Sequence, residues 1–91
     1  MNMELFSGLS EIKPDELIGT KWTGWSDLFE ERIFIQFVDK LNCIYTSRYK
    51  KYQLTYNITK GQLYISNITG AFELRGDVLF NNDLPVFEKA A

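Results

Sequence analysis

The chain of 91 residues contains no histidine and one cysteine, Cys43. The missing histidine removes the commonest general base and metal ligand, and with them Ser–His and Cys–His nucleophilic pairs. With a single thiol beside it, no ordinary zinc site can be assembled, and no metal or other cofactor is expected. One cysteine also cannot close an internal disulfide, so a disulfide-framed secreted scaffold is excluded and a reducing cytoplasm fits. No apolar run is long enough to span a bilayer, so no membrane partner is expected. The opening MNMELFSGLSEIKPDEL lacks the basic region and apolar core of an export signal. The expectation is a cytoplasmic protein, or a secreted one if a leader has been removed.

Aromatic residues, by contrast, are plentiful: seven Phe, five Tyr and two Trp, 15% of the chain. A chain this short buries only about 60–65% of the surface its unfolded form exposes, so a bulky core is needed. Each buried ring removes roughly 150–250 Å² from water. Length and composition point to one soluble domain.

The net charge of −2 conceals a division. Residues 1–31 carry seven acids (Glu4, Glu11, Asp15, Glu16, Asp27, Glu30, Glu31) against Lys13 and Lys21, a net of −5. Residues 32–60 carry Arg32, Lys40, Arg48, Lys50, Lys51 and Lys60 against Asp39, a net of +5. Such a dipolar chain either meets a charged partner or neutralises itself on folding.

From about residue 20 the hydrophobic period is two. Tyr52, Leu54, Tyr56 and Ile58 alternate with Lys51, Gln53, Thr55 and Asn57, as in a strand with one buried face. Ile33, Ile35 and Phe37 alternate likewise, with Phe34 and Val38 on the opposite face. Cys43, Tyr45, Leu63, Ile65, Phe72, Leu74, Val78, Leu84 and Val86 extend the inward set. Turn residues at 39–42, 47–50, 59–61, 67–70 and 81–83 separate the runs, the signature of an antiparallel meander. Gly76 reads as a bend or bulge inside one long strand. Pro14-Asp15-Glu16-Leu17 places proline and two acids in a first helical turn, where both are favoured, and Gly19 ends it. The organisation expected is an N-terminal segment, 1–18, with a short helix and a loosely ordered start over Met1 to Phe6. A single β-barrel domain over 19–91 follows. The fold class is all-β, an up-and-down meander or barrel of seven or eight strands. A five-stranded oligonucleotide-binding barrel is the alternative.

Leu17-Ile18-Gly19-Thr20-Lys21-Trp22, a turn feeding a tryptophan on the first strand of a meander, resembles the opening of small bacterial lipocalin-like (calycin) barrels. The resemblance spans about residues 17–89 at the level of pattern. It implies that Gly19 and Trp22 lie at the barrel floor, although the spacing here is Gly-x-x-Trp, one residue longer than in that family. Trp25, at odd offset on the same strand, faces the other way. The resemblance also implies a carrier of a small hydrophobic ligand, with a cavity lined by Trp22, Tyr45, Tyr52, Tyr56 and Phe72. Size argues otherwise. Six large rings (these five and Phe37) in so short a tube leave little free volume at native packing density, so a filled barrel is favoured.

Chemistry-bearing constellations are few. Asp15/Glu16 and Glu30/Glu31 are adjacent carboxylates, but neighbours on a strand point apart and neighbours at a helix start are solvated. Asp77, Asn81, Asn82 and Asp83 could supply oxygen ligands, though an Asn/Asp turn is the commoner account. Arg75-Gly76-Asp77 is a tripeptide read by adhesion receptors, here on an expected strand. The Asn57-Ile58-Thr59 and Asn67-Ile68-Thr69 glycosylation patterns read as turn chemistry. The strongest candidate is SRYKKYQ, Ser47 to Gln53, where Arg48, Lys50 and Lys51 flank Tyr49 at a hairpin tip. Such a patch holds phosphates and stacks bases, guards a strand edge, or meets an acidic protein surface. In an acidic chain of pI about 5.0 three bases are few for nucleic acid. Trp25, Phe29, Phe34, Tyr49 and Tyr64 fall outside the inward set and either form an interface or lie under the N-terminal segment.

The expectation is therefore a non-catalytic module, not an enzyme. It recognises a protein partner through its outer surface as an inhibitor, immunity factor or adaptor does, with Trp25, Arg48, Tyr49, Lys50, Lys51 and Tyr64 as contacts. The alternatives are the lipocalin-like carrier and a single-stranded nucleic-acid barrel.

Overall fold

The computed structural model describes residues 12 to 28 and 30 to 90. Met1 to Phe6 and Phe29, for which the sequence raised expectations, lie outside the described residues. A four-residue helix, α1 (Pro14–Leu17), precedes eight strands. They are β1 (Lys21–Ser26), β2 (Glu31–Phe37), β3 (Asn42–Thr46), β4 (Lys51–Thr59), β5 (Gln62–Ile65), β6 (Phe72–Arg75), β7 (Val78–Asn81) and β8 (Leu84–Lys89). Each pairs antiparallel with the next, and β8 returns to β1, closing the barrel. The all-β barrel expected from the alternation is the fold.

Because successive strands alternate in direction, α1 and the turns after β2, β4 and β6 gather at one end of the barrel. The turns after β1, β3, β5 and β7 gather at the other. The helix end is closed by apolar side chains and backbone hydrogen bonds. Ile12 and Leu17 are buried in the same core cluster as Trp22 and Phe37. The Gly19 N–H donates to the Phe37 carbonyl (2.8 Å), the Phe37 N–H to the Thr20 carbonyl (3.0 Å), and the Ile12 N–H to the Gly61 carbonyl (2.8 Å). The Trp22 indole N–H donates to Thr20 Oγ1 (2.8 Å), whose hydroxyl donates to the Leu17 carbonyl. A buried indole thereby keeps its polar edge satisfied. Tyr56 solves the same problem by donating its hydroxyl to the Asp39 carbonyl while its ring packs edge-on against Phe37, centroids 4.9 Å apart.

Closure requires one unusually close approach. Gly24 pairs with Phe87 across the β1–β8 seam. A Cβ at Gly24 would lie 2.5 Å from the Val86 carbonyl oxygen and 2.8 Å from the Phe87 ring. Only glycine lets the first strand meet the last at this point.

Three expectations need correction. Gly76 does not bend one long strand. With φ of +63° it occupies the first central position of a two-residue turn between Arg75 and Val78, which pair, so two strands replace one. Glycine there meets the mirror-image turn that a right-twisted hairpin prefers. That turn also reverses parity: Leu74 faces Leu79, and Leu79 rather than Val78 is buried. In β8 the register shifts beside Phe80, which pairs with Pro85 while Leu79 pairs with Phe87. The extra residue moves the inward position from Val86 to Phe87, and Leu84, at the barrel end, is 65% exposed. Tyr52 keeps its inward parity on β4 but is 45% exposed, because it stands where the barrel opens.

Candidate functional site

The end of the barrel opposite α1 is where the charged hairpin sits. Ser47 to Lys50 form a tight turn, the Ser47 N–H donating to the Lys50 carbonyl (2.8 Å). The turn is tied to the start of β2 by the Arg48 N–H, which donates to Glu31 Oε1 (2.7 Å). This anchor holds Tyr49, 84% exposed, above the barrel opening, with the Arg48 guanidinium 5.8 Å from its ring centre. Below, Tyr45 and Tyr52 are a cross-strand pair on β3 and β4 with ring centroids 6.1 Å apart. Cross-strand aromatic pairs of this kind hold each other's rotamers.

Two recesses flank this pair, each of about 270 Å³. Glu31, Tyr45, Ser47, Tyr49, Lys50 and Tyr52 line the first. Tyr45, Tyr52, Leu54, Asn67 and Ile68 line the second. Beneath them the barrel is filled: Trp22, Phe37, Phe72, Leu63, Leu79 and Cys43 are fully buried. Trp22 lines neither recess, and the residues proposed for one continuous cavity divide in two. Tyr45 and Tyr52 stand at the mouth, whereas Trp22, Tyr56 and Phe72 belong to the packed interior.

The outward candidates divide similarly. Lys51 lies on the outer face, in a row that runs Thr23, Phe34, Thr46, Lys51 across four strands, and Trp25 pairs with Arg32 in the next row towards the mouth. Arg32 stands 5.9 Å from the Trp25 ring, which is 53% exposed. Trp25 and Arg32 also border an outer groove of about 240 Å³ between β1 and β8. Phe34 is half-buried, with Lys21 Nζ 4.9 Å above its ring. Tyr64 is separate: it pairs with Asn57, far along β4 from Lys51, and lines a recess with Thr55, Ser66 and Gly70. The structure thus brings Arg48, Tyr49 and Lys50 together with Tyr45, Tyr52 and Glu31, and leaves Lys51 on the outer face and Tyr64 elsewhere. Glu31 had been singled out only as half of an adjacent acid pair. The signal that could have found it is its place opposite the basic turn in a two-hairpin register.

The remaining constellations have local roles. Arg75-Gly76-Asp77 lies at a hairpin tip rather than inside a strand. Its guanidinium is folded back, bonded to Glu73 (2.8 Å) and Asp83 (2.7 Å) with Phe80 4.5 Å beneath. Asp77 and Asn82–Asp83 sit in turns at opposite ends, and Asn81, the last residue of β7, donates its Nδ2 to the Thr69 carbonyl (3.0 Å). Asp15 and Glu16 are exposed, and Glu16 accepts the Lys13 N–H (2.9 Å). Burial pushes the Cys43 thiol up to about 11, so it is protonated and unreactive at neutral pH. Among the described residues no three acidic or thiol groups gather as a metal site, and no helix is long and apolar enough to cross a membrane.

Charge at the mouth is layered. Arg48, Lys50 and Lys51 are exposed, and Glu31 is half-buried. Burial raises the Tyr45 phenol above its ordinary value, and the nearby Glu31 carboxylate and then Tyr52 add to the shift. Among the described residues the ion pairs are those of Arg75, so Glu31 is held by a backbone N–H alone. Compared with family models, with curated proteins and with solved structures, the chain matches none.

Proposed function

We propose that this barrel is a non-catalytic binding module that recognises a protein partner at its open end. The observation that carries the reading is the convergence of Tyr45, Tyr49 and Tyr52 with Lys50 at one recess above a packed interior, with Arg48 beside Tyr49 in the same turn. Tyrosine offers large rigid contact area at low entropic cost, and Tyr, Trp and Arg dominate the energetics of protein interfaces. The turns at this end add Ser47, Ser66, Asn67 and Asn82, the adaptable hydrogen-bonding residues that accompany tyrosine in recognition loops. Trp25 and Arg32 extend the surface round the outer face. An inhibitor, immunity factor or adaptor would use such a surface, and none of these roles needs a catalytic group.

The test is capture from native lysate with the intact chain, the Tyr49→Ala/Tyr52→Ala double variant and Tyr64→Ala. A partner retained by the wild type and by Tyr64→Ala, and lost with the double variant, supports the reading. A partner lost only with Tyr64→Ala moves recognition to the β4–β5 face and overturns the site. Titration with an apolar fluorescent probe addresses the carrier reading: stoichiometric saturation that Tyr45→Ala abolishes would place a small hydrophobic ligand at the mouth instead.

A further inference from the structure

The mouth has a polarity that the sequence count of charges hides. Arg48 and Lys50 stand exposed on the rim and Lys51 on the outer face beside it, yet the half-buried charged group among the rings is a carboxylate. Glu31 lines the same recess as Tyr45, Tyr49 and Tyr52, and its Oε1 is fixed by the Arg48 N–H, which leaves Oε2 free of that bond. An anion entering this recess would meet Glu31 and the negative faces of the rings. A cation would meet attraction from both, since aromatic faces draw ammonium and guanidinium groups within about 6 Å of the centroid. Rings 6.1 Å apart and inclined by 50° line this recess as two walls, and Tyr49, exposed above them, as a third.

We infer that the recess between Glu31 and the three tyrosines binds an organic cation, a lysine or arginine side chain of the protein partner. The inference rests on the proposed binding module and specifies what enters its mouth. The occupant fits in size, because 270 Å³ accommodates an alkylammonium or guanidinium head but not a folded element. Rim residues Arg48 and Lys50, with Lys51 beside them on the outer face, then meet acidic residues flanking the inserted cation. The partner segment is therefore a basic side chain within an acidic surround. Lys50, which also borders the recess, is the resident competitor for Glu31.

The competitor gives the test a sign. Choline is titrated into the intact protein by NMR, with its neutral isostere 3,3-dimethylbutan-1-ol and matched sodium chloride as controls. Saturable shifts at Tyr45, Tyr49 and Tyr52 are expected with choline and not with the isostere. Glu31→Gln retains an acceptor for the Arg48 N–H and should weaken choline binding by about threefold or more. Lys50→Met should strengthen it. Equal response to choline and the isostere overturns the inference, as does tighter binding in Glu31→Gln or weaker binding in Lys50→Met, the pattern of an anion site. If Glu31→Gln fails to fold, Tyr52→Leu supplies the loss-of-cage arm, and undiminished choline binding there overturns the inference. Partner capture that depends on Tyr49 and Tyr52 while choline fails to bind would sink the cation and keep the module. Choline binding with no tyrosine-dependent partner would do the reverse.

Discussion

Trp22 and Trp25 stand three residues apart on one strand and meet opposite surroundings, and the same contrast separates the two ends of the barrel. Under α1, polar edges are satisfied internally: the Trp22 indole by Thr20, the Tyr56 hydroxyl by the Asp39 carbonyl, the Gly19 and Ile12 amides by strand and turn carbonyls. At the mouth the rings are tyrosines with accessible edges, and the cations of the basic turn make no ion pair among the described residues. Stability is invested at one end, and unspent contact area is displayed at the other. That division is what the proposed binding module would require, because rings left exposed for a partner cannot also hold the fold together.

The division is most directly broken by removing each tryptophan in turn. Trp22→Ala deletes a side chain that is 1% exposed, and should cost about 3–5 kcal/mol, a large share of a small domain's stability. Trp25→Ala should change stability by about 0.5 kcal/mol or less, since it alters a surface ring. Urea denaturation of both variants checks the pair, and equal losses would mean that the outer face packs on something. Gly24→Ala tests the seam on which both ends depend. Its new methyl group meets a backbone oxygen that cannot rotate away, so a cost of about 1–3 kcal/mol is expected, with earlier exchange of the β1 and β8 amides.

Much of this architecture was legible because alternation is local. Burial at Ile33, Ile35, Phe37, Leu63 and Ile65 follows from period two alone, and so does the opposed facing of the two tryptophans. The helix was readable from Pro14 and its acids. Legibility failed where the count of residues between strands, rather than their type, sets the facing. The turn at Gly76–Asp77 does carry a hairpin signature, Gly at the first central position, but the apparent parity of Phe72, Leu74 and Val78 ran straight through it and masked it. The shift beside Phe80 exchanged Val86 for Phe87 in the core, and no pattern in β8 announces a bulge. The site was half readable: the basic turn and its tyrosine were evident from composition. Tyr45, Tyr52 and Glu31 joined them only through register, which a sequence read strand by strand does not contain.

The smallest expected effects lie in titration, where Asp39 at the helix end and Tyr45 at the mouth respond on opposite sides of neutrality. At the helix end, backbone N–H of Leu41, the Asn42 side chain and the Asn42 N–H hold the Asp39 carboxyl below its ordinary value of 3.8. The stability it contributes is present above that value and declines as pH falls through the lower folded one. Asp39→Asn should flatten this acid limb and leave the mouth unchanged. At the mouth, Tyr45 is raised from 10.0, first by burial and then by Glu31. A phenol that holds its proton longer when folded contributes fully below its unfolded value and loses that contribution as pH rises through the folded one. Tyr56 is raised as well, but by burial and then by Asp39, so Glu31→Gln separates the two. The variant should bring Tyr45 ionisation to lower pH, still above the ordinary value because its burial persists, with Tyr56 unmoved. Ring resonances followed through an alkaline titration would show it, and a Tyr45 midpoint unchanged by Glu31→Gln would mean that the carboxylate does not face the tyrosine cage.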